Sequence, residues 1–178
     1  MKISETRLPG CLLLEPVRFF DQRGFFQETY SSLRYQQAGI PLSFVQDNHS
    51  RSVQGVIRGM HFQRTRPQGK LISVLRGEVF DVTVDLRADS ATFGQWQGVV
   101  LSEDNGHQLW VPPGFAHGFQ VLSGEADVIY KCTSHYDPLD EGAFCWDDAD
   151  VGITWPLLQP LLSEKDRHAP GFAEATGR

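Results

Sequence analysis

The stretch Glu78-Val79-Phe80-Asp81-Val82-Thr83-Val84-Asp85-Leu86 decides how this chain folds. Phe80, Val82, Val84 and Leu86 alternate with Val79, Asp81, Thr83 and Asp85. A period of two is the side-chain repeat of a β-strand; a helix needs apolar residues every three or four positions. The polar row predicts one face in the core and the other turned away from it. Just upstream, Leu71–Leu75 is a short apolar run that ends at Arg76-Gly77, a tight-turn pair. The two runs together predict a hairpin.

Outward from this pair the pattern repeats. Strand-like runs stand at Cys11–Glu15, Phe25–Tyr30, Phe44–Gln46, Val53–Phe62, Trp96–Leu101, Gln108–Val111, Gly118–Leu122 and Asp127–Thr133. Turn clusters such as Asp104-Asn105-Gly106 and Pro112-Pro113-Gly114 separate them. Many short strands with turns between them indicate a sandwich or a closed barrel. Helix is scarce: Ser31–Ala38 fits two turns, with Ser31 or Ser32 as cap and Gly39 as stop. From about Pro156 the tail is Pro-rich and irregular. No linker or repeat interrupts the chain, so the expectation is one all-β domain over residues 1–178.

Composition narrows the function. The chain carries 16 Lys and Arg against 22 Asp and Glu, a net charge of −6, with no basic run. Binding to duplex nucleic acid needs a basic field to displace counterions, so nucleic acid is not an expected partner. Two or three local arginines can still hold a small phosphorylated ligand. Cys11, Cys132 and Cys145 are too few for a disulfide framework and form no CxxC pair. The N-terminal residues lack an apolar signal core, and no apolar run approaches the ~20 residues that span a bilayer. The expectation is a reduced, cytoplasmic protein with no membrane partner.

Two histidine motifs carry the chemistry. Gly55 precedes His61, and Gly106 precedes Pro112, Gly114 and His117, with the spacing of the two halves of the cupin barrel signature. In metal-binding cupins the first half reads H-x-H with a following Glu. Here it reads His61-Phe62-Gln63, and the stretch before Gly77 holds Lys70 instead of an acid. Gln is a poor transition-metal ligand, and an ammonium beside two histidines opposes a divalent ion. The expectation is a site without metal that takes an anionic ligand or intermediate. The plainer reading, two barrel histidines satisfied by backbone carbonyls, is weakened by the motif and by Lys70.

Longer fragments add a resemblance. Phe19-Phe20-Asp21-Gln22-Arg23-Gly24-Phe25-Phe26-Gln27-Glu28, Gln46-Asp47-Asn48-His49-Ser50 and Arg58-Gly59-Met60-His61-Phe62-Gln63 resemble the dTDP-4-dehydrorhamnose 3,5-epimerases. So do Lys70-Leu71, Gly77–Val82, Pro113–Phe119, Tyr130-Lys131 and Leu162–Asp166, in order and with similar spacing from about Ile3 to Pro170. The resemblance implies a cupin-type barrel or jelly roll with few short helices. It also implies epimerisation at C3 and C5 of dTDP-4-keto-6-deoxy-D-glucose, with no cofactor, in a homodimer whose N-terminal segment reaches the partner subunit. An epimerase of one carbon only, or a ketoisomerase on a related dTDP-sugar, would share most of these residues. A metal-dependent cupin and a non-catalytic sugar-nucleotide binder are more distant alternatives.

Epimerisation beside a ketone needs a base, a group to hold the enolate oxygen and an acid on the opposite face. An imidazole, with an ordinary pKa of about 6.5, suits the base, and His61 is the candidate. The resemblance pairs it with Asp166, which would orient the ring. Lys70 fits the enolate oxygen, since a cation gains more from an enolate than from a ketone. Tyr130 is the candidate acid. By resemblance Arg23 and Arg58 take the diphosphate, Glu28, Gln46, Asn48, His117, Glu141 and Lys165 surround the nucleotide and sugar, and Tyr136 stacks on thymine.

Overall fold

The computed structural model describes residues 1–41 and 43–178. Thirteen strands and three short helices follow one another among these residues. They are β1 (Lys2–Glu5), β2 (Leu12–Glu15), β3 (Arg18–Asp21), β4 (Gly24–Gln27), α1 (Ser32–Gln37), β5 (Gln46–Val53), β6 (Ile57–Gln63) and β7 (Lys70–Arg76). Then come β8 (Glu78–Asp85), β9 (Trp96–Ser102), β10 (Gln108–Val111), β11 (Phe115–Val121), β12 (Glu125–Cys132), β13 (Glu141–Ala143), α2 (Glu164–Arg167) and α3 (Phe172–Thr176).

Two antiparallel sheets make the cupin-type barrel. One runs β1-β2-β10-β7-β12-β5, the other β13-β6-β11-β8-β9, and β3 and β4 pair by themselves as a hairpin. The apolar core between the sheets is built from Ile72, Val74, Val79, Leu109, Phe119, Val121 and Val128. Leu14, Tyr35, Ile40, Leu71 and Trp110 cover the outside of the first sheet. Ile57, Met60, Val82, Val84, Phe144, Trp155 and Phe172 cover the outside of the second, so the tail after β13 acts as its lid. No helix among the described residues is long and apolar enough to cross a membrane.

Several sequence expectations change. Leu71–Leu75 and Glu78–Asp85 are strands, but they do not form a hairpin. β7 pairs with β10 and β12, while β8 pairs with β11 and β9, so Arg76-Gly77 is the corner where the chain changes sheet. Gly77 has φ +73°, and a Cβ there would lie 2.1 Å from the carbonyl oxygen of Glu125, so this corner needs glycine. The alternation in β8 does not separate core from solvent either. Asp81 to Asp85 are all buried, because the apolar row packs under the tail and the polar row points between the sheets.

Val53–Phe62 is two strands, broken at Gly55, and Gln46 opens the first of them rather than closing a separate run. The strand expected at Phe25–Tyr30 is β4 and ends at Gln27, and the one expected at Gly118–Leu122 starts earlier, at Phe115. Ser31 stands at the cap position of α1 without a side-chain capping bond. The tail is not wholly irregular, since it holds α2 and α3. Strands β1, β3 and β13 were not expected, being too short or too polar to show a period.

Candidate active site

Alternation along the strands puts one row of each between the sheets, and that row changes character along the barrel. Towards one end it is Val74, Val79, Val121, Ala126 and Val128. Towards the other, two-residue steps bring Lys70, Tyr130, Cys132, Asp81, Thr83 and His117 to the same interior. His61 faces His117 directly across the β6–β11 ladder. That ladder shifts register between His117 and Phe119. Gly59 and Gly118 back onto each other at the shift: a Cβ on Gly59 would stand 2.6 Å from the Cα of Gly118. The close approach sets the backbone that carries Arg58 and His61.

A cavity of about 250 Å³ opens at this polar end, lined by Gln46, Asn48, His61, Gln63, Lys70, Tyr130, Tyr136 and Glu141 among others. Lys70 Nζ lies 5.8 Å from the centre of the Tyr130 ring. His61 also borders a neighbouring cavity with Arg58, Ser163, Lys165 and Asp166. The base, cation and phenol named from sequence therefore share one space, and two further cations lie just beyond the imidazole.

Asp166 is brought in by the tail. Leu161 bonds through its N–H to the Gly55 carbonyl at 2.9 Å, and through its carbonyl to the Ile57 N–H at 3.0 Å. Ser163 then caps α2, its hydroxyl accepting from the Asp166 N–H at 3.1 Å. The result buries Asp166, whose carboxylate accepts from His61 Nε2 at 2.6 Å. With Nε2 protonated towards that acceptor, the lone pair of a neutral His61 is on Nδ1. Burial pushes the Asp166 carboxyl up, but the His61 bond and charge, Ser163 and Lys165 outweigh it and hold it below the usual carboxylate range.

Burial lowers the Lys70 ammonium below the usual lysine range, partly offset by Cys132, Asp81 and Glu141. Burial raises the Tyr130 phenol, reinforced by Cys132 and opposed by Arg58. Tyr130 thus keeps its proton over the whole neutral range. Glu141 Oε2 accepts from the Tyr136 hydroxyl at 2.9 Å and pairs with Lys165. Gln46 Nε2 donates to Asn48 Oδ1 at 3.0 Å, and Arg58 Nε to Ser52 Oγ at 2.9 Å.

His61 and His117 are satisfied by carboxylates rather than by the backbone carbonyls that the plainer sequence reading would give them. Both oxygens of Asp81 lie 2.9 Å from His117 Nε2, and the pair is buried. Among the described residues no group of three or more His, Cys, Asp or Glu side chains is placed to hold a metal ion.

The match to known proteins agrees with this geometry. The family model described as dTDP-4-dehydrorhamnose 3,5-epimerase matches residues 5–174. This chain belongs to the dTDP-4-dehydrorhamnose 3,5-epimerase family. A protein of that name from Pseudomonas aeruginosa is 52% identical over 177 residues, covering 98% of each chain. One from Methanothermobacter thermautotrophicus is 51% identical over 94% of this chain and 92% of its own. Among solved structures, the dTDP-6-deoxy-D-glucose-3,5-epimerase of Legionella pneumophila, in complex with dTDP-4-keto-L-rhamnose, is 50% identical. Its TM-score is 0.93, with 96% of this chain and 92% of that one covered.

Of the residues that the dTDP-4-dehydrorhamnose 3,5-epimerase resemblance assigns to substrate, Gln46, Asn48, Tyr136 and Glu141 line this chain's own cavity, Arg58 and Lys165 border the neighbouring one, and His117, Arg23 and Glu28 line neither. Arg23 sits in the turn between β3 and β4, where it pairs with Asp21 at 2.6 Å, and Glu28 pairs with Arg34 at 3.2 Å. The hairpin around Arg23 leaves Phe19, Phe20, Phe25 and Phe26 exposed. Asp81, by contrast, belongs to the polar end of the interior and was missed. Its signal was present as an acid inside the β8 alternation, but periodicity alone reads such a residue as solvent-facing.

Proposed function

We propose that this chain epimerises dTDP-4-keto-6-deoxy-D-glucose at C3 and C5 to dTDP-4-keto-L-rhamnose through an enolate, as an isomerase of dTDP-L-rhamnose biosynthesis. The observation that carries this reading is the single cavity shared by His61, Lys70 and Tyr130, with Asp166 behind His61. Nδ1 of His61 takes the proton from the carbon beside the ketone. The C–H electron pair becomes the new C=C bond, and the carbonyl pair moves onto oxygen. Lys70 steadies that oxygen more than it steadies the ketone, which lowers the barrier to forming it. Tyr130 then gives its proton to the opposite face, leaving a phenolate and an imidazolium that exchange with solvent before the second carbon reacts.

Arg58 holds the diphosphate end beyond His61, and Gln46, Asn48, His117, Glu141 and Lys165 surround the sugar and nucleoside. Tyr136 stacks on the base. We assign Arg23 and Glu28 to the site of a partner subunit in a homodimer. Neither lines the cavity of its own chain, and four exposed phenylalanines on one hairpin form an apolar patch suited to docking on a second copy. We place the protein in the cytoplasm on its three free cysteines.

Incubation with the ketosugar in D2O tests the reaction. Deuterium is expected at C3 and C5 by NMR, together with the inverted product. Exchange at one carbon alone would reduce the activity to a mono-epimerase, a shifted carbonyl would indicate a ketoisomerase, and no exchange at either carbon would end the proposal.

A further inference from the structure

Gln63 stands two residues after His61 on β6, where a metal cupin carries its second histidine. Its side chain is buried, and its amide bonds sideways into two loops at the cavity mouth. Nε2 donates to the carbonyl oxygen of Arg66 at 2.8 Å and to that of His135 at 3.4 Å. Oε1 accepts from the Asp137 N–H at 2.8 Å. One amide thus grips the residues on either side of Tyr136. A further latch comes from Gln46, whose Oε1 accepts from the N–H of Tyr136 itself at 2.9 Å.

The Tyr136 side chain needs such help because it is half exposed on a loop and lies in none of the packed cores. An aromatic ring in that setting holds a direction only if its backbone is fixed and its hydroxyl is tied. The hydroxyl bond to Glu141 supplies the second condition, and Gln63 with Gln46 supplies the first. An ionised carboxylate at position 63 could not do the same, since it has no hydrogen to offer the Arg66 and His135 carbonyls.

We infer that Gln63 is a positioning residue that presents the Tyr136 ring at the cavity mouth and so sets affinity for the nucleobase end of the substrate. It leaves the chemistry at the sugar untouched. The inference rests on Tyr136 as the base-stacking residue. Replacement of the metal-ligand position has therefore given the barrel a tether for its recognition loop.

The test measures dTDP affinity by calorimetry, and kcat and KM with the ketosugar, in Gln63→Leu, Gln63→Glu, Tyr136→Ala and the Gln63→Leu/Tyr136→Ala double variant. Gln63→Leu and Tyr136→Ala should each weaken dTDP binding and raise KM about tenfold, with kcat within about threefold of the starting protein. The double variant should bind no more weakly than Tyr136→Ala alone, because both changes remove one interaction. Gln63→Glu keeps the acceptor for Asp137 and should lose several-fold in affinity; it carries the test if Gln63→Leu fails to fold. Unchanged dTDP affinity in the folded Gln63 variants, additive losses in the double variant, or a fall in kcat at constant KM would each overturn the inference. Normal dTDP binding by Tyr136→Ala would instead overturn the stacking role on which it rests.

Discussion

Two histidine–carboxylate pairs lie side by side in this barrel, and they differ in everything except chemistry. His61 and His117 face each other across β6 and β11, and each offers Nε2 to an aspartate, at 2.6 Å and 2.9 Å. The His117 side chain is 6% exposed and Asp81 not at all, whereas His61 is 29% exposed against 5% for Asp166. Asp81 comes from β8, the strand beside His117, so the inner pair is made within the sheet. Asp166 comes from the tail, far along the chain, and its partner His61 lines the cavity. The difference teaches that one fold can hold the same pair in two settings, one sealed within a sheet and the other partly open, with its acid taken from outside the sheet.

The comparison breaks most visibly at His61. His61→Ala should lower turnover about 10⁴-fold, the upper range for removing a general base, while dTDP binding stays intact. Preserved activity would assign the base elsewhere. The inner pair should answer in stability instead. Asp81→Ala leaves a buried imidazole without its partner and should cost about 3 kcal/mol or more in urea unfolding. If it unfolds at the same urea concentration as the starting protein, the sealed pair is not structural.

Asp166→Asn sharpens the contrast, since the amide can offer the wrong hydrogen to the ring and disturb its tautomer. Turnover should fall about 10²- to 10⁴-fold with the ketosugar KM little changed. Its stability effect has a defined pH window. A carboxyl held low in the folded state stabilises fully above its ordinary unfolded pKa, and that stabilisation is lost as pH falls through the lower folded value. The stability gap between the starting protein and the Asp166→Asn variant should thus be largest near neutrality and close in acid. A cost independent of pH would show that the carboxylate charge is not involved.

The smallest effect is a shift along the pH axis. Lys70 loses its proton more readily than an ordinary lysine, so kcat should decline in alkali below the usual value of 10.5. Lys70→Met should remove that limb along with most of the activity. An alkaline limb at or above the ordinary lysine value would argue against Lys70 as the group that titrates.

Much of this was legible in the residues. The period of two in Glu78–Leu86 marked a strand, and the histidine spacings pointed to paired strands facing an interior. The errors share one cause. Arg76-Gly77 looks like a hairpin turn because a corner between sheets and a turn within one need the same left-handed glycine. Asp81 looks solvent-facing because alternation states which residues share a face, not what covers that face.

The sequence by itself determined the local grammar: strands, turns, and the residue types available for proton transfer beside a carbonyl. These follow from backbone sterics and side-chain chemistry, which act over a few neighbouring residues. Only the tertiary structure decided that the polar row of β8 is buried, that the tail delivers Asp166 to His61, and that Arg23 and Glu28 stay outside their own cavity. Those outcomes depend on contacts between residues tens of positions apart, where packing of whole sheets, rather than the preference of any one segment, selects the partner.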